Sequence, residues 1–254
     1  MRFENKIAVV TGGGVGIGRA ICERLASEGA SIVVAEIEED NGAETAQALE
    51  ASGSQALFCR TDTSDSASVA AMVAAATERF GTVDVLVNNA AAFVFGTVEE
   101  VTQEDWNRVF GVNVIGYANC VRELLPNFRK AGRGSVVNIA SMSSFVAQPE
   151  FIPYNASKGA VAQLTRCLAM DLAPENVRVN AVCPGAIRTR ATDRHIAKLG
   201  LEPEQAYIDF GKEALMRRMG QPEEIAAVVA FLASEDASYM TGAQVVVDGG
   251  ATID

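Results

Sequence analysis

Lys6-Ile-Ala-Val-Val-Thr11-Gly12-Gly13-Gly14-Val15-Gly16-Ile17-Gly18 is the stretch that decides the fold of this 254-residue chain. The run from Lys6 to Thr11 is short, apolar and β-branched, as a strand requires, and residues 16–29 repeat their apolar positions at helical spacing. Glycines at such a strand-to-helix turn let the backbone approach a phosphate closely, and the helix start behind them supplies N–H donors and a positive dipole. Ser31-Ile-Val-Val-Ala35 is a second strand, closing a βαβ unit in about 30 residues. It ends at Glu36, whose carboxylate is placed to accept hydrogen bonds from an adenosine ribose. Glu38, Glu39 and Asp40 follow, so a solvated strand end is the competing reading.

The alternation then continues along the chain. Residues 42–52 read as helix, 55–60 as strand, 65–80 as an alanine-rich helix begun by Asp65, and 83–88 as the fourth strand. Asn88-Asn89-Ala90-Ala91 suits a buried turn beneath a ligand. A helical pattern covers 102–130, with Thr102 and Asp105 near its start and Pro126 as a kink or early end. Strand 135–140, a helix from about Tyr154 to Ala173, strand 177–183, a helix from Pro222 to about Ala233 and a seventh strand at 244–250 complete the pattern. This predicts an α/β fold, a doubly wound, seven-stranded parallel sheet with helices on both faces, as a single domain over 1–254. Periodicity lapses from Pro184-Gly185 to about Gly220. Ligands bind beyond strand ends in such folds, so the segment at about 185–220 is expected to be a partly helical lid over the substrate.

Composition removes several function classes. A hydrophobic content of 49% can fill a substantial core, and a net charge of −11 opposes binding to nucleic acid. No apolar stretch approaches the roughly 18 residues of a membrane span. The first residues lead directly into a strand with no room for a signal peptide, so a cytoplasmic location is expected. Cys22, Cys59, Cys120, Cys167 and Cys183 are scattered within apolar patterns and are expected to be buried free thiols. One histidine and no clustered ligands give a metal site no support.

The chemistry sits in Asn138-Ile-Ala-Ser141 and Tyr154-Asn-Ala-Ser-Lys158. A Tyr and a Lys four residues apart on a helix share one face. A free phenol titrates near 10, and a fixed ammonium beside it is expected to lower that value toward working range. Ser141 could hold a substrate oxygen beside the phenol. Such groups move a proton but accept no hydride, which implies a cofactor that does. Taken alone, the pair is equally a Tyr at a helix start and a solvated Lys one turn on.

With these motifs in order, the sequence resembles the short-chain dehydrogenase/reductase family over essentially its whole length. The resemblance rests on Thr11-Gly-x-x-x-Gly16-x-Gly18, Asn88-Asn89-Ala90, Asn113-Val-x-Gly116, Ser141, Tyr154-x-x-x-Lys158, Pro184-Gly185 and Asp248-Gly-Gly250. It implies a Rossmann-type domain and an NAD-dependent enzyme interconverting a secondary alcohol and a ketone. In that reading Tyr154 is the general acid/base, Lys158 lowers its pKa and binds the nicotinamide ribose, and Ser141 stabilises the substrate oxygen. Asn113 positions a water in a proton relay behind Lys158. Gly12, Gly16, Ile17 and Gly18 line the pyrophosphate turn, and Glu36 accepts from the ribose. Asp62 and Thr63 meet the adenine, and Asn89 and Ala90 support the adenosine ribose side. Pro184, Gly185, Ile187 and Thr189 contact the carboxamide or phosphate. Ala91 replaces a frequent Gly, and Glu36 stands where many NAD-using members carry Asp.

Ser143, Gln148, Phe93, Phe95, Val146, Phe151 and the lid are expected to wall a mostly apolar substrate pocket. Arg188, Arg190, Arg194 and His195 could meet an anionic substrate or be solvated lid charges. Gly13, Gly14, Val15 and Ile37 offer no cation to a 2′-phosphate, so NAD(H) is expected over NADP(H). A homotetramer is implied by the family, with Gly159, Ala160 and Ala162 allowing close helix approach. The alternative is a non-catalytic NAD-binding regulator on the same scaffold. Such a protein would be expected to lack one of Asn113, Ser141, Tyr154 and Lys158, and all four are present. A third reading is a lyase or epimerase using bound NAD transiently, whose relatives carry a larger C-terminal substrate domain.

Overall fold

Strands of Val, Ile and Ala buried on both sides build the sheet, as parallel sheets covered by helices require. In the computed structural model, which describes residues 1–253, they are β1 (Ile7–Thr11), β2 (Ser31–Glu36), β3 (Ala56–Arg60), β4 (Val85–Asn88), β5 (Gly134–Ile139), β6 (Val177–Pro184) and β7 (Gln244–Val247). They pair in the order 3-2-1-4-5-6-7, every pair parallel. The pleat sends alternate residues of β2 to opposite layers. Ile32 and Val34 join one core with Ile21, Leu25 and Val229, while Val33 and Ala35 join the other with Val69, Val73 and Leu124.

The first layer is carried by α1 (Gly16–Ser27), α2 (Glu39–Ala51) and α9 (Pro222–Ala233). The second is carried by α3 (Ser66–Phe80), α5 (Gly116–Ala131) and α6 (Ile152–Leu172). The helix α2 starts earlier than its periodicity predicts, because Glu39 and Asp40 sit in its first turn, where carboxylates favour the dipole. Asp65 caps α3 by accepting from the Ala67 N–H at 2.9 Å. Thr102 and Asp105 form a capping box that starts α4 (Gln103–Phe110).

Two expectations fail for physical reasons. The 102–130 pattern is not broken at Pro126, which lies inside α5. It is broken at Gly111–Ile115, a π-helical turn that contains Asn113. Of the five free cysteines, Cys22, Cys120 and Cys183 are buried, but Cys59 is only half-buried and Cys167 is exposed. Cys167 lies on the outer face of α6, where an apolar neighbourhood in sequence does not mean a covered one. No helix among the described residues is long and apolar enough to cross a membrane.

The strand order reverses between β1 and β4. Gly12, Asn89, Ser141 and Gly185 therefore leave the C-terminal ends of neighbouring strands side by side, at the crevice where such sheets bind ligands.

Candidate active site

A cavity of about 810 Å³ opens over those strand ends and runs from the glycine turn to the lid. Every residue assigned above to cofactor or substrate lines it except Asn113, which is fully buried, and Val146 and Arg188, which lie outside it.

At the cofactor end, Gly12 takes a φ of +62° and Gly16 one of +55°, left-handed conformations that favour glycine. A Cβ on Gly18 would lie 2.0 Å from the Gly12 carbonyl oxygen, so α1 can sit against the turn only with glycine there. Asn89 staples the turn to β4, its Nδ2 donating to Thr11 O at 3.0 Å and Gly12 O at 2.9 Å. That side chain is thus a structural strut, and the backbone N–H groups of Asn89 and Ala90 both donate to Thr11 Oγ1. Glu36 is buried, and its carboxylate accepts from the backbone N–H of Gly14 at 3.1 Å, Ile37 at 2.8 Å and Glu38 at 3.2 Å. A carboxylate has about four acceptor sites, so one remains for a ribose hydroxyl. Asp62 Oδ1 accepts from Ser64 N and Oγ, and Thr63 O takes the Asn119 amide. The lid touches the turn through Thr189, 3.5 Å from where a Gly16 Cβ would stand. A tight turn that excludes side chains, a helix N-terminus and a fixed carboxylate lining the cavity fit a dinucleotide.

At the other end, α6 begins at Ile152 with Pro153 in its first turn, which places Tyr154 and Lys158 on the face toward β5. Lys158 is fully buried. Its Nζ donates to Ile139 O at 2.7 Å and lies 5.6 Å from the centroids of both Tyr154 and Tyr117. Tyr117 OH donates to the same carbonyl at 3.1 Å. Ser141 Oγ donates to Ser143 Oγ at 3.0 Å, which donates to Gln148 Oε1 at 2.7 Å, while Ser143 N donates to Ser141 Oγ at 3.1 Å.

Burial, not the neighbouring ammonium, governs the two titrating groups. Enclosure pushes the Tyr154 phenol up to about 12, with the nearby Ser141 hydroxyl opposing. It pushes the Lys158 ammonium down to about 7, with the Cys183 thiol opposing. The expectation that Lys158 lowers the phenol is thus corrected in the protein alone, because the lysine gives up its own charge to burial.

Asn113 is held away from Lys158. Its Oδ1 accepts from Ala92 N at 2.7 Å, and its Nδ2 donates to Ala92 O at 3.1 Å and Ser157 Oγ at 3.0 Å. These bonds tie the π-turn to the loop after β4 and to the first turns of α6.

Comparison with known proteins agrees with this arrangement. A family model described as enoyl-(acyl carrier protein) reductase matches residues 13–252. The chain is 39% identical over 252 residues to meso-2,3-butanediol dehydrogenase of Serratia marcescens, covering 99% of this chain and 96% of that one. It is 40% identical over 250 residues to human dehydrogenase/reductase SDR family member 4, covering 98% of this chain and 88% of that one. It is also 40% identical over 254 residues to the short chain dehydrogenase/reductase astE of Aspergillus oryzae, covering 99% and 96%. The chain belongs to the short-chain dehydrogenase/reductase family. It is an oxidoreductase of that family, whose members generally use nicotinamide cofactors.

Within this short-chain dehydrogenase/reductase, the segment expected to form a lid folds partly as α7 (Arg190–Lys198) and α8 (Pro203–Gly211), and both helices contribute residues to the cavity wall. Its charges are not gathered for one anion. Arg188 pairs with Glu204 at 3.5 Å and lies 4.1 Å over the Tyr207 ring, while Arg190 donates to Asn41 Oδ1 at 3.0 Å. That last bond crosses the cleft from lid to α2, and Asn41 and Glu36 both pack against Gly14. Sequence reasoning missed Asn41 and the pocket residue Phe210, and it offered His195 only as a charge. No spacing signal marks any of them, because their partners lie on distant segments.

Proposed function

We propose that this short-chain dehydrogenase/reductase interconverts a secondary alcohol and a ketone with NAD(H), using Tyr154 as the general acid/base. The observation that carries the reading is the meeting of Ser141, Tyr154 and Lys158 at the floor of a cavity continuous with the glycine turn. NAD, when bound, supplies the two-electron acceptor or donor for the carbinol hydrogen. Ser141 holds the substrate oxygen, and Tyr154 takes the hydroxyl proton in oxidation or returns it in reduction. Lys158 has N–H donors beyond its bond to Ile139 O, and these serve the nicotinamide ribose. Asn113, its side chain taken by Ala92 and Ser157, offers the backbone of the π-turn to a relay water behind Lys158. A neutral phenol is an acid ready for ketone reduction near neutrality, while alcohol oxidation needs the phenolate and rises with pH. Initial rates in both directions across pH, with NAD(H) and a panel of alcohols, ketones, polyols, steroids and 3-oxoacyl thioesters, test the assignment.

NAD(H) is preferred over NADP(H) because a 2′-phosphate would meet Glu36, fixed by three backbone N–H groups. At about 4 Å and an effective dielectric near 20, each unit repulsion is of order 4 kcal/mol before relaxation and screening. Arg190, tied to Asn41 on that bank, offsets part of it. The expected kcat/KM ratio is at least about 10-fold, which needs only about 1.4 kcal/mol to survive. Glu36→Ala narrows it by relieving NADP(H). Equal or better kcat/KM with NADP(H) in the natural enzyme would overturn this preference.

The enzyme is further proposed to be a cytoplasmic homotetramer joined partly through α4, α5 and α6. Ala162 serves packing inside the subunit, but a Cβ on Gly159 would meet open space, and Ile115 and Met170 are exposed apolar side chains on these elements. Light scattering at micromolar concentration is expected to return about four times the chain mass of 26.8 kDa. The monomer mass would refute it.

A further inference from the structure

Six rings wall the substrate end of the cavity, drawn from segments far apart in sequence. Phe93 lies nearly parallel to Tyr154, with centroids 4.7 Å apart and planes at 19°. Phe151 meets Tyr154 edge-on at 6.0 Å and Phe95 at 4.7 Å. From the lid, His195 stacks on Phe95 at 4.8 Å with planes 5° apart and meets Phe151 edge-on at 5.0 Å. Phe210 stacks on His195 at 5.8 Å. Five of the chain's aromatic residues and its one histidine thus meet in a single cluster.

Two explanations compete for such a cluster. Rings that serve only to fasten lid to body are best fully enclosed, as Tyr117 and Phe128 are in the core. These six are all half-buried, and all six line the cavity, so each leaves ring surface facing it. The lid is also fastened independently, since Lys198 Nζ donates to Phe95 O at 3.2 Å. Burial, with Lys198 nearby, holds the His195 imidazole below its ordinary value, so this ring adds an uncharged face to the wall at neutral pH. Ser141, Ser143 and Gln148, joined by hydrogen bonds, line the same cavity and offer polar groups to a substrate oxygen. Apolar ring surface left open in a cavity gains from covering by another apolar ring, in offset-stacked or edge-to-face contact.

We infer that this site takes a secondary alcohol or ketone carried on a hydrophobic ring, aromatic or alicyclic, with the ring against Phe93, Phe95 and His195 and the oxygen at Ser141. Short open-chain diols, which cover none of these faces, are the poor substrates. The inference rests on the oxidoreductase reading above and deepens it.

The test uses the purified full-length enzyme with NAD at saturation. Indanol and cyclohexanol serve as ring probes, butanediol and propanol as open-chain probes. kcat/KM is expected to favour the ring probes by about 100-fold, the scale of two or three aromatic contacts. Phe95→Leu and His195→Leu keep an apolar side chain and are expected to fold, which a thermal melt checks. Each lowers the ring-to-chain ratio of kcat/KM by about 10-fold. A natural enzyme that turns over open-chain diols as well as ring alcohols overturns the inference and leaves the oxidoreductase reading standing. So does a ratio that neither substitution moves. Absence of turnover with every alcohol and ketone, with NAD(H) or NADP(H), overturns the oxidoreductase reading and the inference with it.

Discussion

Tyr154→Phe is expected to lower turnover by about 100-fold or more in both directions while leaving NAD affinity nearly intact. The substitution removes one oxygen and keeps the ring, so the stack with Phe93 at 4.7 Å and the course of α6 persist. The glycine turn and the Glu36 carboxylate belong to β1, α1 and β2 and do not touch the phenol. A protein that lost turnover through misfolding would lose NAD binding as well. Titration of NAD by fluorescence beside single-turnover kinetics separates the two, and near-natural kcat in the variant would sink the proton-transfer mechanism.

Lys158→Ala is expected to damage both turnover and NAD affinity, since in the proposed mechanism the same side chain serves both the phenol and the nicotinamide ribose. It also makes a prediction about stability that a surface lysine would not. Lys158 is held at about 7 in the folded protein, below its ordinary 10.5. Between those values the unfolded chain keeps a proton that the native chain has released. Its contribution to stability therefore rises with pH from about 7 to 10.5 and is lost as pH falls through 7. Tyr154 acts in the opposite sense from about 10 to 12, where the native chain keeps the proton. Thermal melts of Lys158→Ala should compare best with the natural enzyme near pH 7, and the comparison should worsen steadily toward pH 10. A difference in melting temperature that stays flat over that range would show a lysine titrating at its ordinary value.

Local patterns determined a large part of this protein before any tertiary contact is considered. A period of two or 3.6 residues is a property of the segment itself, so the alternation of strands and helices predicted the seven-stranded parallel sheet and its two helical layers. The glycine turn was legible for the same reason. Gly12 and Gly16 take left-handed φ values that favour glycine, and Gly18 has no room for a Cβ. Tyr154 and Lys158 share a face by helical geometry alone. Contacts between distant segments decided the rest. The break at Gly111–Ile115 accompanies the bonds of Asn113 to Ala92 and Ser157, 21 and 44 residues away, and these outrank the proline at 126. The pKa order of Tyr154 and Lys158 follows from burial, which no spacing encodes. Arg190 finds Asn41 at a separation of 149 residues, and His195 and Phe210 join the other four rings only because α7 and α8 fold over the strand ends. Sequence periodicity carries direction along an element; the company a side chain keeps is a property of the packed chain.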